Sequence, residues 1–181
     1  MTASQNRPEF SRIERVDQIG VRERTVAIEA NAAEREALAK RFALLAIERL
    51  EAAFALRAEA GGVVATGRVM GSVVQPCSAT GEPLTAAIDE PVALRFVPEL
   101  GGAEEEVELS EDALDTLPID DGAIDLGEAA AETLALALDP FLRSPDAAAM
   151  LAEAGVIGED EVTSEASPFA GLASLKKKLE G

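Results

Sequence analysis

The sequence predicts an α+β domain in which an antiparallel sheet, which we expect to curl into a partial barrel, is covered by two main helices and followed by a C-terminal helical tail. Three observations lead to this prediction. Apolar and polar residues alternate in several segments, as they do in half-buried strands. Two other segments carry apolar residues at helical spacing behind a helix-capping pattern. A compact apolar and basic stretch closes the chain.

The first part of the chain predicts extended structure followed by a helix. Residues 8–30 should be extended. At the end of this range, over residues 24–30, polar and apolar side chains alternate, which favours a strand. Asn31 and Glu34 have the spacing of a capping box, in which each side chain accepts a hydrogen bond from the backbone of the other residue. We therefore expect a helix over residues 32–41.

The segment 43–59 carries two conflicting signals. Its alanines favour a helix, whereas Phe54 and Leu56 alternate as in a strand. Gly61 and Gly62 follow directly and are typical of a hairpin turn. We expect a strand in the second half of this segment.

Two more strands are predicted after that hairpin. Residues 63–75 form a strand that contains Gly67 and Gly71, and glycines inside strands often mark bulges. A turn over residues 76–83 leads into a strand over 85–97. The sheet would then be built mainly from residues 8–30, 50–75 and 85–97.

The second half of the chain predicts an acidic connection and two helices. Residues 99–125 are polar and should be mostly loop, although Val107 and Leu109 suggest that part of the segment pairs as an edge strand. Asp125 and Glu128 repeat the capping pattern, with carboxylates where the N-terminus of a helix stabilises them. We expect a main helix over 126–138 and a short one over 145–154.

These elements divide the chain into a single α+β domain over residues 1–155, an acidic linker over 156–166 and an amphipathic, basic tail over 167–181. Helical spacing places four apolar residues on one side of the tail, namely Phe169, Leu172, Leu175 and Leu179. Two interpretations stay open: this stripe docks on the protein's own body, or it binds in the groove of a partner. The acidic linker favours the second.

Charge is distributed very unevenly along the chain. The net charge is −18, yet residues 1–68 are nearly neutral, with eleven basic and ten acidic side chains. Residues 69–175 hold twenty-three acids and only Arg95 and Arg143. Such a region repels nucleic-acid phosphates and attracts basic partners, with association rates that fall as salt rises. The alternative is that the acidity serves solubility alone.

Several classes of active site are not supported. The chain has no His, which removes the commonest general base and imidazole metal ligands. Its one cysteine, Cys77, cannot hold zinc alone, and we interpret it as a small, half-buried residue rather than a redox thiol. Acidic pairs are plentiful but lie in a predicted loop. We expect no enzymatic activity, no metal site and no cofactor.

Direct nucleic-acid recognition is weakly supported, since the chain has no Trp or Tyr for base stacking. The one cluster of positive charge is Lys176, Lys177 and Lys178, which either complements the end of a helix or contacts an RNA backbone. The polar N-terminus lacks the features of a secretory signal, and no stretch is long and apolar enough to span a bilayer. We therefore expect a soluble, cytoplasmic protein.

Three ordered stretches resemble the YceD family, bacterial proteins associated with accumulation of large-subunit (23S) ribosomal RNA. They are residues 73–84 (VVQPCSATGEPL), the Ile-Asp-Leu of 124–126 that opens a helix running into LALALDP at 134–140, and 167–177 (SPFAGLASLKK). The third is similar to the family's terminal Asn-Pro-Phe-x-x-Leu-x-x-Leu-Lys. Order and spacing agree over about residues 62–181.

The chain resembles a cysteine-poor member of that family. Many members have Cys-x-x-Cys where this chain has Cys77 and Thr80, and the later Cys and His positions are absent from residues 141–146. The zinc site of cysteine-rich relatives is therefore not expected. The turn after residue 76 must be held by backbone hydrogen bonds and by the hydroxyls of Ser78 and Thr80.

The resemblance implies an accessory role in synthesis, processing or stability of 23S ribosomal RNA and thus in ribosome biogenesis. The charge pattern adds the hypothesis that the protein binds a basic ribosomal protein or a pre-large-subunit particle; direct RNA contact stays open. The candidate partner-binding residues are Glu104, Glu105, Glu106, Asp120, Asp121, Asp125, Phe169, Leu172, Leu175, Lys176, Lys177 and Lys178. The alternatives are an acidic decoy that mimics nucleic acid and a non-ribosomal adaptor domain.

Overall fold

The computed structural model describes residues 8–98 and 115–156 of the chain. Seven strands and three α-helices lie in these two ranges, together with one 3-10 turn at Val16–Gln18. In chain order they are β1 (Ile13–Arg15), β2 (Arg24–Glu29), α1 (Ala32–Arg41), β3 (Ala46–Glu59), β4 (Gly62–Pro76), β5 (Pro83–Pro98), β6 (Asp115–Ile119), β7 (Ala123–Asp125), α2 (Leu126–Leu136) and α3 (Ala147–Glu153).

The main sheet has five strands in the order β2-β3-β4-β5-β6. Neighbours pair antiparallel from β2 to β5, as the sequence predicts, but β6 pairs with β5 in parallel. A separate two-stranded sheet joins β1 and β7. The described strands leave the main sheet open, with β2 and β6 at its edges. No closed barrel forms in this part of the chain, and the predicted curl into a partial barrel is not confirmed.

The predicted helix over residues 32–41 is confirmed, and its start shows why the local signal was strong. The Asn31 side chain accepts hydrogen bonds from the backbone N–H groups of Ala33 and Glu34, and the Glu34 carboxylate accepts one from the N–H of Asn31 at 2.8 Å. This is the full capping box that the spacing implies. Three backbone N–H donors at the helix start are thereby satisfied.

The ambiguous segment before the hairpin is a strand over almost its whole length, because β3 begins at Ala46 rather than in the second half. Tertiary pairing on both sides of β3 overrides the helix propensity of its alanines. The hairpin turn at Gly61 is confirmed by its positive φ of 87°. The alternation of Phe54 and Leu56 is also confirmed, since both are fully buried.

The predicted bulges at Gly67 and Gly71 are wrong, because the β4 register with both neighbours is continuous at these positions. The one register shift between β3 and β4 lies at Ile47/Arg49 instead. Instead, the two glycines allow β3 and helix α2 to lie close to the backbone of β4. A Cβ at Gly67 would lie 1.9 Å from the carbonyl oxygen of Ala53, and one at Gly71 would lie 2.9 Å from the Leu134 side chain.

The hydrophobic core forms where α1 and α2 cover the sheet. Helix α1 packs against β3, whereas α2 packs against β4 and β5. Leu38 of α1 and Leu134 of α2 are fully buried in the same cluster as the inward side chains of the strands. Helix α2 ends at Leu136, two residues before the predicted end, and the short helix α3 is confirmed. The predicted linker and tail, over 157–181, lie outside the described residues.

Candidate functional site

Two of the candidate acidic residues lie together on an exposed turn between β6 and β7. Asp120 and Asp121 are both exposed, and the backbone N–H of Asp120 donates to the carbonyl of Ala123 at 3.1 Å. Asp121 has a positive φ of 47°, which Asp tolerates better than most residues. The Arg15 guanidinium donates to the Asp121 carbonyl at 3.2 Å. The turn therefore presents two exposed carboxylates that form no ion pair with a residue of 8–98 or 115–156, and one arginine lies beside its backbone.

Asp125 has a structural task. Its Oδ1 accepts hydrogen bonds from the backbone N–H groups of Gly127 and Glu128, which caps α2 as the sequence predicts. The same oxygen accepts a third hydrogen bond, at 2.7 Å, from the backbone N–H of Arg12. Asp125 thus connects the N-terminal segment to the start of α2, and its role in partner binding stays a prediction.

The remaining candidate residues lie outside the described ranges. They are Glu104, Glu105, Glu106, Phe169, Leu172, Leu175, Lys176, Lys177 and Lys178. Their part in binding a partner stays a prediction from the sequence.

A groove that the sequence did not reveal lies between α2 and the β5–β6 edge of the sheet. It has a volume of about 570 Å³. Val92, Leu94 and Leu117 line it from the two strands, and Thr133 and Leu136 line it from the helix. Helix α2 packs against β4 and β5. Among the described elements, no helix packs extensively against the edge strand β6.

Three exposed carboxylates stand around this groove, those of Glu90, Asp115 and Glu132. Within residues 8–98 and 115–156, none of them forms an ion pair. The groove is therefore apolar inside and negative around its opening, a combination that suits a ligand with apolar and basic groups. Sequence reasoning missed it because its walls come from β5, β6 and α2, whose approach no local pattern encodes.

The turn after β4 is held as the sequence predicts, by backbone and hydroxyl hydrogen bonds. The Cys77 N–H donates to the Glu82 carbonyl at 2.7 Å, and the Gly81 N–H donates to the Cys77 carbonyl at 2.9 Å. The Thr80 hydroxyl accepts from the Glu82 N–H at 3.3 Å. The Ser78 hydroxyl reaches further and donates to the carbonyl of Phe141 at 3.2 Å.

The same turn packs against the segment that follows α2. The Ser78 N–H donates to the Leu142 carbonyl at 2.9 Å, and the Ser144 N–H donates to the Cys77 Sγ at 3.4 Å. Cys77 is buried here, with 3% of its surface exposed. Hydrogen bonds from the Thr80 side chain first, and from the Ser144 backbone next, outweigh burial and lower the pKa of the Cys77 thiol to about 6.

The described ranges contain no cluster of three or more His, Cys, Asp or Glu side chains arranged to hold a metal ion. In those same ranges, no helix combines the length and apolar character that crossing a membrane requires.

The open sheet, its helical cover and the acid-rimmed groove define an acidic α+β protein with a surface groove. Over residues 65–176 the chain matches the family model described as large ribosomal RNA subunit accumulation protein YceD. The match spans more than half of the chain, so this protein belongs to the YceD family, whose name associates it with accumulation of large-subunit ribosomal RNA. Searches of curated proteins and of solved structures found no match.

Proposed function

We propose that this protein is a non-catalytic accessory factor in the production of large-subunit ribosomal RNA and that it acts by binding a basic ribosomal partner through its acidic surface. Membership of the YceD family supports the ribosomal part of this proposal. The basic partner is supported by one observation on the structure: beyond residue 69, most carboxylates of the described residues form no ion pair.

The ion pairs of the described residues make this imbalance concrete. Beyond residue 69, only Asp89 and Glu128 among these residues form ion pairs, and both pair with arginines of the first half, Arg68 and Arg41. Arg95, one of the two arginines of the second half, donates instead to a backbone carbonyl. Exposed carboxylates without cations attract a basic protein and repel a phosphate backbone.

Affinity capture of the tagged full chain from native lysate at low salt, with and without ribonuclease, tests the proposal. We expect large-subunit ribosomal proteins to be enriched, to remain after ribonuclease treatment and to decline as salt rises. Loss of the enrichment on ribonuclease treatment would show that RNA is the tether and would contradict a protein partner. Absence of ribosomal proteins from both samples would contradict the ribosomal role.

Reversing the charge of selected acidic residues tests which part of the chain binds the basic partner. The variant Glu104→Lys, Glu105→Lys, Glu106→Lys should weaken capture in a salt-dependent way. The matched control reverses three exposed acids of the first half, Glu23→Lys, Glu29→Lys and Glu48→Lys, and therefore changes the net charge equally. Equal losses in both variants would show that net charge alone attracts the partner and would contradict a defined acidic surface.

A further inference from the structure

We propose that the acid-rimmed groove is the docking site of this chain's own C-terminal segment, residues 169–179, in the protein without its partner. The proposal goes beyond the ribosomal role, since it concerns the free protein alone. Three properties of the described groove select this occupant: its apolar interior, its length and its charge.

Within the ranges that the structure describes, no residue covers the interior of the groove on its α2 side. Leu136, the last residue of α2, is 85% exposed although it faces the groove, whereas Leu134 two residues earlier is fully buried. Val92 and Leu94 form the floor, and Leu117 of the edge strand is only half-buried. An exposed apolar surface of this kind, rimmed by polar groups, is typical of a site that another segment occupies.

The length of the groove matches the apolar stripe of the tail. The wall supplied by α2 runs from Ala129 to Ala137, a rise of about 12 Å at 1.5 Å per residue. The sequence predicts a helix in the tail, whose stripe from Phe169 to Leu179 would span about 15 Å. Amphipathic helices bind apolar grooves through side chains at this spacing.

Charge distinguishes the tail from the acidic connection between β5 and β6, which also lies outside the described ranges. Residues 99–114 hold seven acidic and no basic side chains, so the carboxylates of Glu90, Asp115 and Glu132 would repel them. The tail carries three consecutive lysines at 176–178, between the last two leucines of its apolar stripe, Leu175 and Leu179. Ion pairing at the rim and apolar burial inside therefore favour the same occupant.

The tail can reach the groove within one molecule. The described part of the chain ends at Val156, thirteen residues before Phe169. An extended stretch of that length spans at most about 40 Å, comparable to the diameter of a domain of this size. Attachment to the same chain also gives the tail an effective concentration on the order of millimolar, so modest contacts suffice.

Paramagnetic relaxation in the full chain tests the docking. The nitroxide is attached at Ser174→Cys, which helical spacing places opposite the apolar stripe, in a Cys77→Ser background so that one thiol is labelled. We expect the amide signals of Leu117, Thr133 and Ala137 to lose most of their intensity. Signals of β2, on the opposite edge of the sheet, should keep theirs.

Two variants make the result specific to the groove. Leu136→Lys should restore the broadened signals, because it places a charge of the wrong sign on the exposed wall. Val21→Lys is the matched control: Val21 is 80% exposed and lies away from the groove, so broadening should persist. Both positions are exposed, and unchanged circular dichroism would verify that both variants fold.

The remaining outcomes overturn the proposal. Unbroadened groove signals would mean that another segment or nothing occupies the groove in the free protein. Broadening that survives Leu136→Lys would show that the tail lies near the groove without contacting its apolar wall, which contradicts docking inside it. Broadening in a mixture of nitroxide-labelled and isotope-labelled chains, at the same concentration, would identify a second copy as the occupant.

Discussion

Single residues in this fold are fixed by close backbone contacts, and Gly67 shows this most directly. A Cβ at this position would approach the carbonyl oxygen of Ala53 to 1.9 Å and its carbonyl carbon to 2.9 Å, and backbone atoms cannot yield as the end of a side chain can. The two strands β3 and β4 would have to separate locally. Their pairing is among the most extensive in the molecule, so the cost extends to neighbouring pairs.

We expect Gly67→Ala to lower the free energy of unfolding by about 1–3 kcal/mol, the usual range for overpacking. Urea unfolding followed by far-UV circular dichroism measures the change. Gly20→Ala is the control, since the nearest atom to its added Cβ would lie 3.9 Å away. Similar stability of both variants would show that the close approach at Gly67 relaxes without cost.

The second residue-scale prediction concerns the Cys77 thiol, whose pKa is lowered to about 6. The chain has no Trp and no Tyr, so thiolate absorbance at 240 nm is measured against little background. We expect a midpoint near pH 6 in the folded protein and near the ordinary value, about 8.5, after unfolding. Thr80→Val removes the hydroxyl that contributes most and should raise the folded midpoint.

The same shift predicts how stability depends on pH. The folded state loses the thiol proton at lower pH than the unfolded state does, so the unfolded state binds more protons between about pH 6 and pH 8.5. Stability should therefore rise with pH in that window, stay constant above it and lose this contribution as pH falls through 6. Cys77→Ser should abolish this rise; an unchanged rise would assign it to another group.

At the scale of elements, the N-terminal segment joins the starts of both main helices. The Arg12 guanidinium donates two hydrogen bonds to the Glu34 carboxylate, at 2.8 and 3.0 Å. The backbone N–H of Arg12 donates to the Asp125 carboxylate. The contact with Arg12 is the main reason why the pKa of Glu34 lies below its ordinary value. Arg41 adds a second connection, since it pairs with both Glu9 and Glu128.

We expect Asp125→Ala to destabilise the protein by about 1–2 kcal/mol, the range for loss of a helix N-cap, with a further cost because the Arg12 N–H loses its acceptor. Asp146→Ala is a control of the same chemistry. Asp146 is the N-cap residue of α3 but makes no side-chain cap hydrogen bond, so its loss should have little effect. Equal costs in the two variants would contradict the capping role of Asp125.

The sequence predicted those elements whose signals are local. The capping residues Asn31, Glu34 and Asp125 specify where α1 and α2 begin, and the glycines at 61 and 62 specify the hairpin. In contrast, the start of β3 depends on its pairing with β2 and β4. Its alanines favour a helix, so the sequence predicted a strand that begins too late. The glycines of β4 signalled backbone proximity rather than bulges, since a small residue is compatible with either.

At the scale of the whole molecule, no sequence pattern predicted which distant strands pair or in which direction. The parallel pairing of β6 with β5 joins strands separated by an acidic connection, and no periodic pattern specifies its direction. The open sheet follows from that pairing and from the separate β1–β7 pair. The groove between β5, β6 and α2 is a consequence of both, so it became visible only in three dimensions.

Net charge is also a property of the whole molecule, and it predicts how the fold responds to salt. At a net charge of −18, exposed carboxylates that form no ion pair among the described residues, such as those of Asp120, Asp121 and Glu153, destabilise the folded state by repelling neighbouring carboxylates. Salt shortens the range of this repulsion to about 10 Å at 0.1 M. It also weakens the surface ion pairs, but each of these contributes only about 0–1 kcal/mol. We expect repulsion to be the larger effect.

The melting temperature should therefore rise as sodium chloride increases, by about 2–4 °C for each 1 kcal/mol of repulsion removed. A variant with Asp120→Asn, Asp121→Asn and Glu153→Gln, whose positions do not line the groove, should melt higher at low salt and respond less to added salt. A fall in melting temperature with salt would show that the ion pairs dominate. The same salt should weaken a complex with a basic partner, so opposite responses of fold and complex would separate self-repulsion from partner attraction.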